Sequence, residues 1–174
     1  HRTPRFKELL GHVHDGVRKM LKTDNEVVTI TGSGTSGMEA AIACGVPRDK
    51  KVLISNGGKF GERWVKVARR YGLEVDEVEL EWGTALQPET VKDKLAGGDY
   101  GAVVTVHSET STGTACDLEA IGKVVADTDA VLMVDCITSA GALPLETDSW
   151  HVDVVGAGSQ KAMMTPPGLA TLAV

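Results

Sequence analysis

The 174-residue sequence is 42% hydrophobic, 24% charged and 4% aromatic, with 20 Gly and 6 Pro, which excludes disordered, collagenous and disulfide-rich classes. That length supports one sizeable core and a single domain rather than two. With 18 Lys+Arg against 24 Asp+Glu the net charge is −6, and no basic run offsets it. The electrostatic footprint of nucleic-acid binding is therefore missing, and any bound anion must be held locally.

The first predicted element covers residues 3–22, where Phe6, Leu9, Leu10, Val13, Val17, Met20 and Leu21 follow the three/four spacing of one helical face. Thr3 before Pro4 supplies a cap and a proline at the first helical position. After Asn25 the period changes. Short β-branched runs recur at 27–30, 52–54, 75–80, 102–106, 130–134 and 152–155, and several are apolar without alternation, as strands covered on both faces are. Between them, 38–44, 61–71, 89–95 and 118–126 have helical composition, with Pro88 near the start of the third and Asp117 as cap of the fourth. Such alternation argues for an α/β fold, a mostly parallel sheet with helices on both faces. The chain starts at His1 and stops in the apolar run 169–174 with no turn or polar tail, as a piece of a longer protein would. Cys44, Cys116 and Cys136 are odd in number with no CxxC spacing, and read as small buried apolar residues in a reducing compartment. No apolar run approaches the roughly 18 residues that span a bilayer, and no charged-then-apolar leader opens the chain, so a cytoplasmic protein is expected.

Ligands of such sheets sit beyond the carboxyl ends of the strands. The first run leads through Thr31-Gly32-Ser33-Gly34-Thr35-Ser36-Gly37 into a helix, so the N–H groups of Gly34, Thr35 and Ser36 can face a phosphate. Gly32-x-Gly34-x-x-Gly37 also matches the dinucleotide fingerprint, yet the second run ends in Ser55-Asn56-Gly57-Gly58-Lys59 without the ribose-binding acid. A smaller phosphorylated ligand, a dinucleotide and a purely structural turn all remain open at this point. His107-Ser108-Glu109-Thr110-Ser111-Thr112-Gly113 forms a polar loop after the fourth run. Asp135 ends the fifth run, where burial demands a cation or several donors unless the residue only caps a turn. Lys161, in Gly158-Ser159-Gln160-Lys161-Ala162, has small and apolar neighbours, a setting that favours a nucleophilic amine.

These segments, with Asn56-Gly57-Gly58-Lys59-Phe60-Gly61-Glu62-Arg63, Val134-Asp135-Cys136 and Pro166-Pro167-Gly168, resemble the cofactor-binding large domain of the class V aminotransferases. The resemblance runs over most of the chain and is nearest to the alanine–glyoxylate and serine–pyruvate aminotransferase branch. It implies fold type I, with residues 1–25 as an N-terminal helix and 26–174 as a truncated large domain that binds pyridoxal 5'-phosphate. The C-terminal small domain, which carries the arginine for the substrate carboxylate, is absent, so the segment alone is expected to bind cofactor weakly and turn over little. By resemblance, Lys161 would bind the cofactor covalently and shuttle a proton, and Asp135 would pair with the ring nitrogen. Ser33, Gly34, Thr35 and Gln160 would hold the phosphate. Phe60 and Ile137 would cover the two ring faces, Phe60 having an ordinary core role as the alternative, and Thr110 would lie near the ring hydroxyl. The implied reaction moves an amino group from alanine or serine to glyoxylate or pyruvate, in a homodimer, with no nucleic acid, membrane or metal partner. Cysteine desulfurase, kynureninase-like lyase and phosphoserine aminotransferase readings stay open within the same fold. Outside it stand a non-catalytic subunit and a nicotinamide-dependent enzyme. His12 and His14, two apart on a helix, make a poor metal pair; His107 faces the cofactor or caps a strand, and His151 reads as a surface residue.

Overall fold

The computed structural model describes residues 2–174; His1, the first residue of the expected 1–25 segment, lies outside them. Helix α1 (Pro4–Leu21) begins as its sequence dictates: Thr3 is extended and its hydroxyl accepts from the Phe6 N–H at 3.3 Å, with proline at the helix start. Lys22 ends it in the left-handed conformation, its N–H returning to the Arg18 carbonyl. The apolar stripe is divided between two environments. Val17 and Leu21 are buried, whereas Phe6, Leu9 and Val13 are exposed.

The chain then alternates through β1 (Val27–Thr31), α2 (Gly34–Gly45), β2 (Lys51–Asn56), α3 (Lys59–Arg70), β3 (Val75–Glu79), α4 (Pro88–Ala96) and β4 (Tyr100–Val106). A short hairpin, β5 (Ser108–Glu109) with β6 (Thr114–Ala115), precedes α5 (Leu118–Val125), β7 (Val131–Asp135), β8 (Val154–Gly158) and β9 (Leu169–Ala173). Asp117 caps α5, accepting from the Ala120 N–H at 3.0 Å. Seven strands form one sheet in the order β1-β9-β8-β7-β4-β2-β3. The β3, β2, β4, β7 and β8 pairings are parallel, and β9 runs antiparallel to both of its neighbours.

Period-two alternation along the central strands divides the core between the sheet faces. Val52, Ile54 and Val104 pack with Met38 and Ile42 of α2 and Trp64, Val65 and Ala68 of α3. Leu53, Val103, Leu132 and Val134 pack on the other face with Leu21 of α1, Val91 of α4 and Leu118, Ile121 and Val125 of α5. Both faces are covered, which is why the strands read as continuous apolar runs; each fully buried Leu or Ile contributes about 1.5–3 kcal/mol.

Three features depart from the sequence reading. The apolar run at 169–174 is a sheet strand, β9, and the polar loop after β4 contains the β5–β6 hairpin. Strand β8 extends through Gly156-Ala157-Gly158, residues whose composition reads as loop. A side chain at Gly156 would overlap Met38 and one at Gly158 would press on Ile137, so close packing of α2 and the β7 end dictates glycine there. Cys116 and Cys136 are buried as expected, but Cys44 is exposed because it lies in the last turn of α2 on the solvent side.

The helical glycines yield a prediction of opposite signs. A methyl group on Gly122 in α5 would overlap the Trp150 carbonyl oxygen, whereas nothing approaches within 4 Å of the corresponding position at Gly16 in α1. Gly16→Ala is expected to stabilise by about 0.5–1 kcal/mol through helix propensity alone. Gly122→Ala is expected to destabilise by at least about 2 kcal/mol despite the same gain in propensity. Thermal denaturation checks the pair; a higher melting temperature for both variants would contradict the packing at α5.

Candidate active site

Strands β2, β4, β7 and β8 run parallel, so the loops after them open at one sheet edge. There Phe60, Val106, Ser108, Asp135, Ile137, Thr138 and Lys161 line one cleft. Four residues singled out from sequence, Phe60, Asp135, Ile137 and Lys161, therefore meet although they come from three separate loops.

Asp135 is the last residue of β7 and only 4% exposed. Its Oδ1 accepts from the Ile137 N–H at 2.9 Å, and its Oδ2 accepts from the Trp64 indole N–H at 2.9 Å. Burial pushes its carboxyl from the ordinary 3.8 up to about 6. Those two donors oppose the rise, the charge of Glu109 adds to it, and the charge of Arg63 opposes it. The consequence for stability has a definite sign. Below about pH 4 the group is protonated both folded and unfolded and changes nothing; between pH 4 and 6 the unfolded chain ionises first, and the folded state loses up to about 3 kcal/mol. A cation in the cleft would return that energy.

Helix α3 begins beside this acid and is held by a carboxylate whose role the sequence reading did not assign. Glu109, 6% exposed, accepts through Oε2 from the Phe60 and Gly61 N–H groups at 3.0 and 3.1 Å. Its Oε1 accepts from the Ser111 N–H and hydroxyl at 3.1 and 2.5 Å, and the Ser111 Oγ accepts from the Lys59 N–H at 2.9 Å. The first three N–H groups of α3 are thus satisfied by the β5–β6 hairpin, with negative charge at the positive end of the helix. From this start Phe60, Arg63 and Trp64 stand three and four residues apart on one helix face. The Arg63 guanidinium lies 4.8 Å from the Phe60 ring centroid and donates to the Thr35 hydroxyl at 3.0 Å. The sequence reading did not single out Trp64; its helical spacing from Phe60 is the signal that could have found it.

At the start of α2 the Ser33 carbonyl accepts from the Ser36 N–H at 2.8 Å, so Ser36 does not offer the free donor expected from the sequence. The Gly34 and Thr35 N–H groups donate to nothing among the described residues. Ser33 occupies the cap position without a side-chain cap bond, and is exposed. Gly34 is buried against Ile137, whose Cδ1 and Cγ1 would both lie 2.7 Å from an added Cβ. Gly158, whose own Cβ position is 3.4 Å from the Gln160 Oε1 and 3.7 Å from the Gly34 Cα, joins Gln160 to this corner.

Lys161 is exposed, not embedded among apolar side chains as its neighbours in sequence implied, because the segment after Gln160 turns outward. Ser159 closes that segment into a loop: its hydroxyl donates to the Pro166 carbonyl at 2.7 Å and accepts from the Leu169 N–H at 3.3 Å, and its carbonyl accepts from Thr165. Thr110 is exposed on the hairpin turn; Ser108, two residues earlier, is the hairpin residue that lines the cleft. His107 is buried behind the cleft, its Nδ1 3.9 Å from the Cys136 Sγ, and burial holds its imidazole below the ordinary range. His151 is exposed, as read from sequence.

The sequence pattern of Aminotransferase class-V matches residues 1–174. The small subunit of a soluble hydrogenase from Synechococcus sp. is 41% identical over 178 residues, covering 100% of this chain and 46% of that protein. Serine–glyoxylate aminotransferase of Methylorubrum extorquens is 36% identical over 180 residues, covering 100% and 45%. In three dimensions the chain superposes on the crystal structure of alanine–glyoxylate aminotransferase from Nostoc sp. with a TM-score of 0.95 and 34% identity, over 99% of this chain and 46% of that one. The chain spans about half the length of the curated relatives it matches. A match along its whole length, on a fold shared almost strand for strand, means that the chain belongs to the class-V aminotransferases.

Proposed function

We propose that this chain is the pyridoxal-phosphate-binding part of an aminotransferase that moves an amino group from alanine or serine to a 2-oxo acid, glyoxylate or pyruvate. The observation that carries the reading is the convergence of a buried carboxylate, a lysine and two apolar side chains on one cleft, beside two helix-start N–H groups that have no partner among the described residues. The residues present fit the group. A buried, half-satisfied Asp135 calls for a cationic partner, and the free N–H groups of Gly34 and Thr35 suit a phosphate. Phe60 and Ile137 offer apolar faces to a flat ring. When bound, pyridoxal phosphate supplies an electron-withdrawing ring that takes up the electron pair released at the substrate Cα.

The chain's own residues do the rest. Lys161 would hold the cofactor through its amine and would carry the proton to and from the substrate Cα. Asp135 would keep the ring nitrogen protonated by charge complementarity in a dry site. Ser33, Gly34, Thr35 and Gln160 hold the phosphate without any basic surface, which suits a chain of net charge −6. Phe60 and Ile137 would shield the ring from water, and Thr110, exposed on the hairpin turn, would contact the cofactor from outside the cleft lining. Relatives named for amino transfer to glyoxylate support this choice of acceptor. The cofactor-binding domain is residues 26–174, with residues 1–25 as an N-terminal helix. The working form is a cytoplasmic homodimer: the exposed Phe6, Leu9 and Val13 on α1 suit a subunit contact, and three free cysteines suit a reducing compartment. Neither buried cysteine offers a nucleophile itself, since burial pushes the Cys136 thiol up and the Cys116 thiol to about 11.

Two measurements check the assignment in the whole enzyme. Borohydride treatment after loading with pyridoxal phosphate should fix the label on Lys161, read by peptide mass spectrometry. Lys161→Ala should lose both the label and alanine–glyoxylate transamination by about 1,000-fold or more; label on another lysine would refute the site. Gly34→Ala should push Ile137 into the cleft and weaken pyridoxal phosphate binding about tenfold, measured by absorbance titration, while the unliganded protein stays folded. Unchanged affinity would remove the phosphate corner from the proposal.

A further inference from the structure

Trp64 is fully buried in α3 and packs in the core half shared with Met38, Ile42 and Val104. Nothing about that packing requires an indole. Its Nε1–H can only donate, and a buried donor without an acceptor is destabilising. The acceptor is Oδ2 of Asp135, 71 residues away in sequence, at 2.9 Å. A carboxylate rotates readily about its last torsion, because that torsion has broad minima. One donor, the Ile137 N–H on Oδ1, fixes one oxygen; a second on Oδ2 fixes the plane.

We propose that Trp64 is a positioning residue for the reaction of this site: its indole N–H locks the Asp135 carboxylate in the plane and the charged form that a cationic ring nitrogen in the cleft needs. The inference rests on the proposed cofactor and extends it from the acid to what orients the acid. Trp64 touches no reacting atom; it acts through Asp135. The other charged or titratable groups around that carboxylate are Arg63 on α3, Glu109 in the hairpin, Lys161 across the cleft, His107 just after β4, and Cys136, which follows Asp135 and contacts His107. Glu109 raises the acid range of Asp135 and Arg63 lowers it, and both are unchanged by a substitution at Trp64 that leaves α3 in place. Deleting the N–H removes one of two donors to the charged form, so the acid range of Asp135 moves upward.

The test compares the wild type with Trp64→Phe, which retains an aromatic ring in the core but has no donor. The affinity for pyridoxal phosphate is measured from pH 5 to 9 by absorbance titration. In the variant the acid limb should move up by about one pH unit, and affinity at neutral pH should fall roughly tenfold. A pure packing role predicts lower thermal stability with the acid limb unmoved, and that result would overturn the inference. A second readout needs no variant to be fully stable and no cofactor. The Trp64 indole proton resonance of the 15N-labelled wild type, distinguished from those of Trp82 and Trp150, should move as pH falls through about 6, where Asp135 takes its proton. An indole resonance indifferent to pH over that range would also refute the bond. If the wild type binds no pyridoxal phosphate, the functional reading fails, while the indole titration still decides whether Trp64 holds Asp135.

Discussion

The carboxylate of Glu109, reaching from the β5–β6 hairpin into the start of α3, is the contact on which the geometry of the cleft depends. A buried carboxylate is tolerable only with several donors, and here the donors are the N–H groups that a helix start leaves unsatisfied. Each side therefore solves the other's problem, and together they join two crossovers of the sheet. Close approach is part of the arrangement. A Cβ on Gly58 would come within 2.5 Å of the Glu109 Cγ, and one on Gly61 within 2.5 Å of the Ser55 carbonyl oxygen, so both positions must be glycine for α3 to sit this low on the sheet. Once the first turn is fixed, the helical repeat fixes Phe60, Arg63 and Trp64 relative to one another. One wall residue of the cleft, Phe60, and two side chains behind or beside it thus inherit their positions from one cap.

Asp135 and Glu109 are two buried acids in the same neighbourhood, treated differently by their surroundings. Glu109 receives four hydrogen bonds and the positive end of α3. Asp135 receives two, with Glu109's charge nearby making its ionisation harder. The first acid is satisfied within the chain; the second is left with unused acceptor capacity at the wall of a cleft. An ionised group kept in that condition destabilises the protein without its ligand, and such local instability is what a site reserved for a cation looks like in energetic terms.

Much of this was legible in the sequence because burial on both faces of a parallel sheet leaves plain apolar runs, and because caps such as Thr3 and Asp117 act within three residues of themselves. Phe60, Asp135, Ile137 and Lys161 were legible from strand-end position together with family resemblance, and the structure brings all four to one cleft. What was not legible depends on distant partners. The place of strand β9 in the sheet comes from pairing with β1 and β8. Gly156 and Gly158 weaken a strand locally but are required by Met38 and Ile137 across the layer. Trp64 reads as core because a tryptophan on an amphipathic helix nearly always is, and its bond to Asp135 spans 71 residues. Glu109 sits among polar residues that suit solvent equally well.

Lys161 contrasts with all of these. Its loop is anchored at both ends through Ser159, yet the Nζ makes no hydrogen bond or ion pair among the described residues, and the side chain is exposed at the cleft mouth. Anchoring the backbone while freeing the side chain suits the two successive tasks proposed for this amine, attachment and proton transfer, since a lysine held by an ion pair would have to break it on every cycle. The acid opposite, for which the proposed function has one task, to remain charged against one nitrogen, is held in plane by two donors. The division between a fixed acceptor on a buried strand end and a free donor on a pinned loop follows from the sheet itself. Strand ends are the most constrained points of an α/β fold, and the segments just beyond them are the first that can move.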